Sequence, residues 1–487
     1  MSRSIIKNSF YSVLKTIASL IFPVISFSYA SRILLPEGMG KIDFSKSFVV
    51  YFTLLAMLGI QNYGLRECAR VRDDKAALSK TAREIMRVNF ASVFISYAAF
   101  LTVIHLVDSL SPYRELLLIN CITIGLTAVG MEWLYSAVED YKYIAVRTCI
   151  VQVVSLICML IFVQSPEDIN KYAAIQVLSN GGAFLFNFIH SRKYIDWKIR
   201  FDFDCRQHLK PIFALFLMSA LVQVFTVMDS TMLGFLTNDE SVGLYSASHK
   251  ISGIVSSAIS SVTLVLTPRI AYYAEKDMLE DVKTLSVKAL NCIFMLCIPA
   301  SVGLIMLSMP ILMIFSGNSF AEADTTSKIM AFRNLLVPVN SFIVAHFFIP
   351  LKKEKYNLVS TGAAAVLNFA MNLVLIPKLM QNGAAIATVA AELIEFIINL
   401  FYFSKFISLK LVFKDIWQYV IAAVPIIPIC SFLSVIDVNM IMYVVLSVIL
   451  SVIVYFGILV LMKCPIIEDG LNKLKKKTVE RSNKKEI

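Results

Sequence analysis

The sequence predicts an all-α polytopic membrane protein with about 14 transmembrane helices: two pseudo-symmetric six-helix lobes and two C-terminal helices. Three observations lead there. First, 58% of the 487 residues are hydrophobic, above the roughly 45–50% of soluble domains, so the excess must face lipid. Second, hydrocarbon offers the backbone no partner, which leaves helices or a closed barrel. The apolar runs are about 20 residues long and do not alternate, which excludes the barrel. Third, the stretch around the turn PEGMGKIDFSKSF returns after about 203 residues as NDESVGLYSASHKI, placing Glu37 on Glu240, Gly40 on Gly243 and Arg66 on Arg269. Both copies join two apolar spans, as in a transporter built from two similar halves.

Taken in order, the apolar runs place spans at 9–33, 44–63, 88–107, 115–136, 146–164, 171–190, 211–235, 244–267, 287–315, 325–349, 357–376, 383–404, 416–434 and 440–462. The lead-in MSRSIIKNSFYSVLK lacks a small-x-small cleavage site and reads as the approach to the first helix. The ninth run is long, and Pro299 and Pro310 are expected to interrupt it. The expected organisation is an N-terminal lobe over 1–190, a connector over 191–210 and a C-terminal lobe over 211–404. Helices thirteen and fourteen then fill 405–462, and a basic tail covers 463–487.

The net charge of +11 is unevenly placed, and its placement argues against nucleic acid. The loop 64–87 carries Arg66, Arg70, Arg72, Lys75, Lys80, Arg83 and Arg87; the connector, the 351–356 loop and the tail add further clusters. Positive residues concentrate on the cytoplasmic side, so both termini are expected there, with an even helix count. The basic tail is expected at the anionic leaflet or as a solvated end. The nine cysteines are scattered in apolar spans without CxxC or Cys/His clustering, so no metal site or disulfide is expected.

Ionisable side chains inside spans are costly and therefore candidates for function. Lys15, Arg32, Lys250 and Arg333 are cations drawn from both halves; together they would line a positive cavity suited to an anionic headgroup, each with an ion pair or snorkelling as its plain alternative. Asp229 is either a coupling carboxylate or the fixed partner of Lys250 or Lys15. Glu392 and Glu395 share a helix face at i and i+3 and serve either as a cation or proton site or in pairing with Arg333. His249 is either a packing residue or a proton carrier.

The segments KNSFYSVL, YASRILLPEGMGKIDFSKS, LGIQNYGLRECARVRDDKAALSK, VGLYSASHKI and NLVLIPKLMQNGAAIATVAAE, in this order and spacing, resemble the Wzx-type oligosaccharide flippases of the MOP superfamily, related to the MATE exporters and the lipid II flippase MurJ. That resemblance implies alternating access that moves an undecaprenyl-diphosphate-linked oligosaccharide from the cytoplasmic to the outer leaflet of the bacterial inner membrane, for O-antigen or other surface polysaccharide biosynthesis. It also implies a cationic central cavity, onto which Lys15, Arg32, Lys250 and Arg333 map by position. Expected partners are the lipid-linked oligosaccharide, membrane lipids and polymerase or assembly proteins, with the chain a monomer. No enzyme activity and no cofactor is expected: no GxxxxGK[ST] occurs, so an ion gradient, the membrane potential or product consumption would drive transport. The main rival is a MATE-like cation-coupled multidrug exporter, kept open by Asp229, Glu392 and Glu395. A membrane-embedded enzyme would need a clustered polar site; a scaffold would not need buried charges.

Overall fold

The computed structural model describes residues 2–199, 204–263 and 266–468; within them, side chains are described for Tyr11 and from Ile21 onward except Met218 and Thr267, so Lys15 lies outside them, as does the tail beyond 468. The described residues are helical throughout, without strands. Nine helices among them are long and apolar enough to cross a membrane, ten if the bent pair Asn318–Ala331 and Arg333–Phe348 forms one span. The chain is therefore a multi-pass membrane protein. Its contacts group it into two compact units, Met1–Gly243 and Leu244–Ile487.

The first unit opens with α1 (Ser2–Met57), too long for one crossing: 56 residues at about 1.5 Å each far exceed a hydrocarbon core of about 30 Å. It breaks at Leu35, whose φ of 61° and ψ of 173° are non-helical. The cause is local. Pro36 disfavours helix at the residue before it, and its fixed φ suits the first position of the next arm. The repeated turns then meet each other reciprocally. A Cβ on Gly40 would lie 1.7 Å from the Asp239 carbonyl oxygen, and one on Gly243 would lie 2.0 Å from that of Pro36. Only glycine permits this backbone approach. Beside it the Phe44 ring fills the space over Gly234, and Tyr113 donates to Asp239 Oδ1 at 2.6 Å.

Next come α2 (Ile60–Arg70) and α3 (Lys75–Leu106). The first is amphipathic: Ile60, Tyr63, Gly64 and Cys68 are buried, while Arg66 and Arg70 face outward. That pattern is the one of a helix with one buried and one exposed face. The helices α4 (Arg114–Gly130) and α5 (Glu132–Ala137) form one run broken at Met131, with φ 44°. The carbonyl freed at Gly130 accepts from the Asn187 amide, and Tyr135 donates to the Asn187 carbonyl at 2.6 Å. Then follow α6 (Tyr141–Phe162), α7 (Ile169–His190) and α8 (Arg206–Leu236). The last of these belongs by its contacts to the first unit, whereas the sequence division gives it to the second lobe.

Between α6 and α7, Asp168 accepts from the Gln164 and Ser165 amides, each at 2.9 Å, and pairs with Lys171 at 2.6 Å. The Lys171 ammonium, with the two amides, holds its carboxyl well below the usual range. A depressed folded pKa contributes stability that is full above the unfolded value of about 3.9 and fades as pH falls below it. Asp168→Asn is thus expected to lower Tm at pH 7 and to narrow the difference from wild type as pH falls below about 4; thermal unfolding at both pH values checks this.

The second unit runs through α9 (Asp239–Ser261, its first residues in the preceding unit), α10 (Thr267–Glu275), α11 (Leu279–Met306) and α12 (Ser308–Ser316). Contrary to the sequence expectation, Pro299 does not interrupt the ninth run. The helix continues through it and breaks at Leu307, just ahead of Pro310 in the first turn of α12, where a missing N–H costs nothing. After it, α13 (Asp324–Ala331) and α14 (Arg333–Phe342) are separated at Phe332, and a π-helical turn covers Ile343–Phe348. The 51-residue α15 (Glu354–Ser404) breaks at Met380, shortly after Pro377 and inside the turn expected between spans eleven and twelve. The remaining helices are α16 (Leu409–Phe413), α17 (Ile416–Ala423), α18 (Ile426–Leu433) and α19 (Met440–Leu461). Aromatic packing anchors this unit: Phe342, Phe347, Phe348, Phe403 and Tyr419 are fully buried, with Phe347 and Phe403 rings 4.7 Å apart.

Candidate functional site

The break at Phe332 places Arg333 at the first residue of α14, pointing into the second unit. Its Nε donates to Glu392 Oε1 at 2.6 Å, and the side chains are only 16% and 5% exposed. The surroundings are polar and mutually bonded. Asn340 donates to the Glu392 carbonyl at 3.3 Å and accepts from Asn399 at 3.2 Å. From α9, Ser252 and Ser256 donate to Asn334 Oδ1 at 3.1 and 2.7 Å, while Ser252 also reaches the Met330 carbonyl at 3.0 Å. These serines of α9 thus serve the broken helix, Ser252 taking the Met330 carbonyl just before the break.

His249 and Lys250 sit half-buried one residue apart on α9. The positive charges of Arg333 and Lys250 both bear on His249, whose ring stacks on Tyr245 at 5.8 Å. Tyr245 in turn shares a hydrogen bond with Thr388 at 3.0 Å. Arg333 and Glu392 therefore form the ion pair of this region, and the charges of Arg333 and Lys250 both reach His249. Glu395 does not join the pair: it accepts from Thr361 Oγ1 at 2.9 Å.

The other sequence candidates lie in the first unit. Arg32 is exposed near the end of the first arm of α1. Asp229 is buried on α8, close enough to Tyr51 for its charge to be felt there. Lys15 falls outside the described side chains.

Two clusters in this unit were not singled out from sequence. Glu132, the first residue after the break in the α4–α5 run, pairs with Arg147 at 2.8 Å, and Arg147 also donates to the Ala183 carbonyl at 2.8 Å. Glu132 borders a cavity of about 400 Å³ with Gln61, Asn89, Thr127 and Asn180 on its wall. Each unit thus carries an ionised pair where a membrane helix breaks.

The second cluster is Tyr63, His208 and Glu84, all buried. Tyr63 Oη lies 2.7 Å from His208 Nδ1, and His208 Nε2 lies 2.9 Å from Glu84 Oε2. The Asp204 amide donates to Glu84 Oε1 at 3.0 Å, while the Asp196 amide reaches Ser79 Oγ at 2.9 Å. Part of the connector is therefore docked on α3. Glu84→Ala removes an acceptor from several buried donors at once and is expected to destabilise by about 1–3 kcal/mol. Tyr63→Phe removes one hydroxyl and should cost less. Thermal unfolding in detergent ranks the two.

Chemically, the second unit offers a buried guanidinium whose fork has donors beyond the one facing Glu392. Such a group binds phosphate oxygens in the same way as it binds a carboxylate.

Comparison with known proteins agrees with this architecture. The family model described as polysaccharide biosynthesis protein matches residues 5–274. A probable low-salt glycan biosynthesis flippase, Agl15, of Haloferax volcanii is 23% identical over 251 residues, covering 51% of this chain and 53% of its own length. The chain thus spans about half of that relative. A putative O-antigen transporter of Shigella dysenteriae is 24% identical over 367 residues, covering 73% of this chain and 90% of its own. Among solved structures, the lipid II flippase MurJ in an inward closed conformation has a TM-score of 0.72 at 17% identity, covering 94% of this chain and 99% of its own. An inward-facing multidrug resistance MATE family transporter of the MOP superfamily has a TM-score of 0.62 at 16% identity, with coverages of 80% and 95%. At these identities the structural likeness establishes the fold.

Proposed function

This chain belongs to the polysaccharide biosynthesis protein family, and on that footing we propose that it flips a lipid-linked oligosaccharide between membrane leaflets. The cargo is read as an undecaprenyl-diphosphate-linked repeat unit, moved by alternating access from the cytoplasmic to the outer leaflet of a bacterial cytoplasmic membrane. The observation that carries the reading is the buried Arg333–Glu392 pair, with the charges of Arg333 and Lys250 both reaching His249. A diphosphate headgroup cannot cross hydrocarbon unaided, and its charge has to be met by fixed cations while water is excluded. Arg333 would exchange its carboxylate partner for a phosphate oxygen, and Lys250 would add a point charge.

Asp229 and Glu395 are proposed as coupling carboxylates, driven by an ion gradient or the membrane potential. Lys15 and Arg32 remain proposed headgroup contacts on the strength of the sequence alone. Both termini are proposed to be cytoplasmic, which agrees with the exposed Arg66, Arg70 and Arg72 on and after α2. The chain is proposed to act as a monomer, beside polymerase and assembly proteins.

The test is leaflet distribution of a fluorescent undecaprenyl-diphosphate oligosaccharide in proteoliposomes. Movement well above protein-free vesicles is expected. No movement, together with uptake of a cationic dye under a sodium or proton gradient, would replace this reading with a drug exporter.

A further inference from the structure

The cavity of about 400 Å³ beside Glu132 falls at the small end of the range of about 300–1,000 Å³ that ligand pockets occupy. Its walls come from α1, α2, α3, α4, α5 and α7, all in the first unit. Much of the wall is apolar, including Met57, Leu126 and the half-buried Phe184 ring. Polar groups are set into that wall, and the hydrogen bonds they already make fix what they can still bind.

Asn180 stands midway along the 22-residue α7 and is exposed. Neither it nor the half-buried Gln61 has a hydrogen-bond partner among the described residues. An amide facing hydrocarbon at that depth is costly, so its place on the cavity wall calls for a polar occupant. Thr53, Thr123 and Thr127 each spend their single proton on their own helix. They donate to the carbonyls of Val49, Asn120 and Ile124 at 3.1, 2.6 and 2.7 Å. What each hydroxyl keeps is acceptor capacity. Thr123 and Thr127 are one turn apart and share a face of α4, while Asn89 is fixed by donating to the Ala56 carbonyl at 2.8 Å. The wall therefore offers mainly acceptors, with the amide donors of Gln61 and Asn180 beside them.

Charge narrows the occupant further. No lysine or arginine occurs among the described lining residues, and Glu132 is paired with Arg147 at 2.8 Å. A phosphate would meet a carboxylate and no cation on this wall. A cation would meet a carboxylate already neutralised. A bare lipid chain would leave the two amides unsatisfied. A neutral ligand rich in hydroxyl donors, with apolar C–H faces to lie on Phe184 and Met57, meets every one of these conditions.

We propose that this cavity is a subsite for a neutral sugar residue of the lipid-linked cargo. Its hydroxyls donate to Thr123 and Thr127 and exchange hydrogen bonds with Asn180 and Gln61. The proposal rests on the flippase reading, which supplies a sugar-bearing lipid, and it uses none of the residues proposed to grip the headgroup.

Equilibrium binding to the full chain in detergent tests it, using undecaprenyl diphosphate and the same lipid carrying N-acetylglucosamine, glucose or galactose on its terminal phosphate. Wild type is expected to bind at least one glycosylated lipid about tenfold or more tightly than undecaprenyl diphosphate. Asn180→Ala/Thr127→Val should remove most of that gain, about tenfold for two hydrogen bonds, and leave undecaprenyl diphosphate binding unchanged. Neither substitution removes a printed contact between helices, so Tm should hold. Thr123→Val/Thr127→Val should reduce the gain by about threefold or more. Equal Kd for all four lipids, or a gain that survives both variants, overturns the subsite while the flippase reading stands. An equal loss of affinity for glycosylated and bare lipid also overturns it, since the residues would then not read the sugar. Failure of wild type to bind any of the four lipids removes the flippase reading, and this proposal with it.

Discussion

Arg333→Ala is expected to slow flipping by about 10- to 100-fold, because a buried charge-assisted hydrogen bond to the cargo is worth about 1.5–3 kcal/mol. The variant has a second consequence: it leaves Glu392 buried without its cation, which destabilises by about 3–5 kcal/mol. The two effects separate in the double variant Arg333→Ala/Glu392→Gln. Removing the carboxylate charge restores stability, so Tm should recover towards wild type while flipping stays slow. Arg333→Lys keeps the charge but loses the planar fork, and should fall between. Recovery of both Tm and flipping in the double variant would mean that Arg333 serves only to neutralise Glu392.

Gly40→Ala and Gly243→Ala are expected to be far more damaging than their size suggests. At 1.7 and 2.0 Å from a backbone carbonyl oxygen, the new methyl cannot be accommodated by a side-chain rotation, so the backbone must move apart. Overpacking of this kind costs about 1–3 kcal/mol, and the cost should appear as reduced Tm in detergent and poor accumulation in membranes. Gly253→Ala is the control. It is also helical, but nothing lies within 4 Å of its added Cβ, so it should be neutral or slightly stabilising through helix propensity. Equal effects at all three positions would show that the close approach of the two turns is not what the glycines are for.

The same turns illustrate what was legible in the sequence. Hydrophobic run length gave the helical membrane class, and the gaps left between the apolar runs, at 34–43 and 377–382, contain the breaks at Leu35 and Met380. The repeat offset aligned Gly40 with Gly243; that each would touch the other's turn needed coordinates. Local spacing also misled. Glu392 and Glu395 share a face at i and i+3, yet one reaches Arg333 and the other Thr361, because partner choice depends on which helix packs opposite. Pro299 was read as a break, but the helix passes through it.

The first-unit clusters were invisible for a related reason. Glu84 sits among Arg83 and Arg87 in a stretch read as a solvated basic loop, and His208 sits in a connector. Their contact spans more than a hundred residues of chain, beyond any local pattern. Arg147 stands at the start of the apolar run 146–164; its pairing with Glu132 depends on the break at Met131. A carboxylate shortly before an expected helix boundary was the one available signal.

The central claim is that Arg333 holds the anionic headgroup, and equilibrium binding of undecaprenyl diphosphate to detergent-purified protein tests it most directly. Binding involves no gating or energy source, so it isolates the contact from the transport cycle. The account predicts that Arg333→Ala/Glu392→Gln raises Kd about tenfold or more relative to Glu392→Gln alone, with Gly253→Ala at the wild-type value. An unchanged Kd in the double variant, at normal Tm, would contradict it and place the headgroup elsewhere in the molecule.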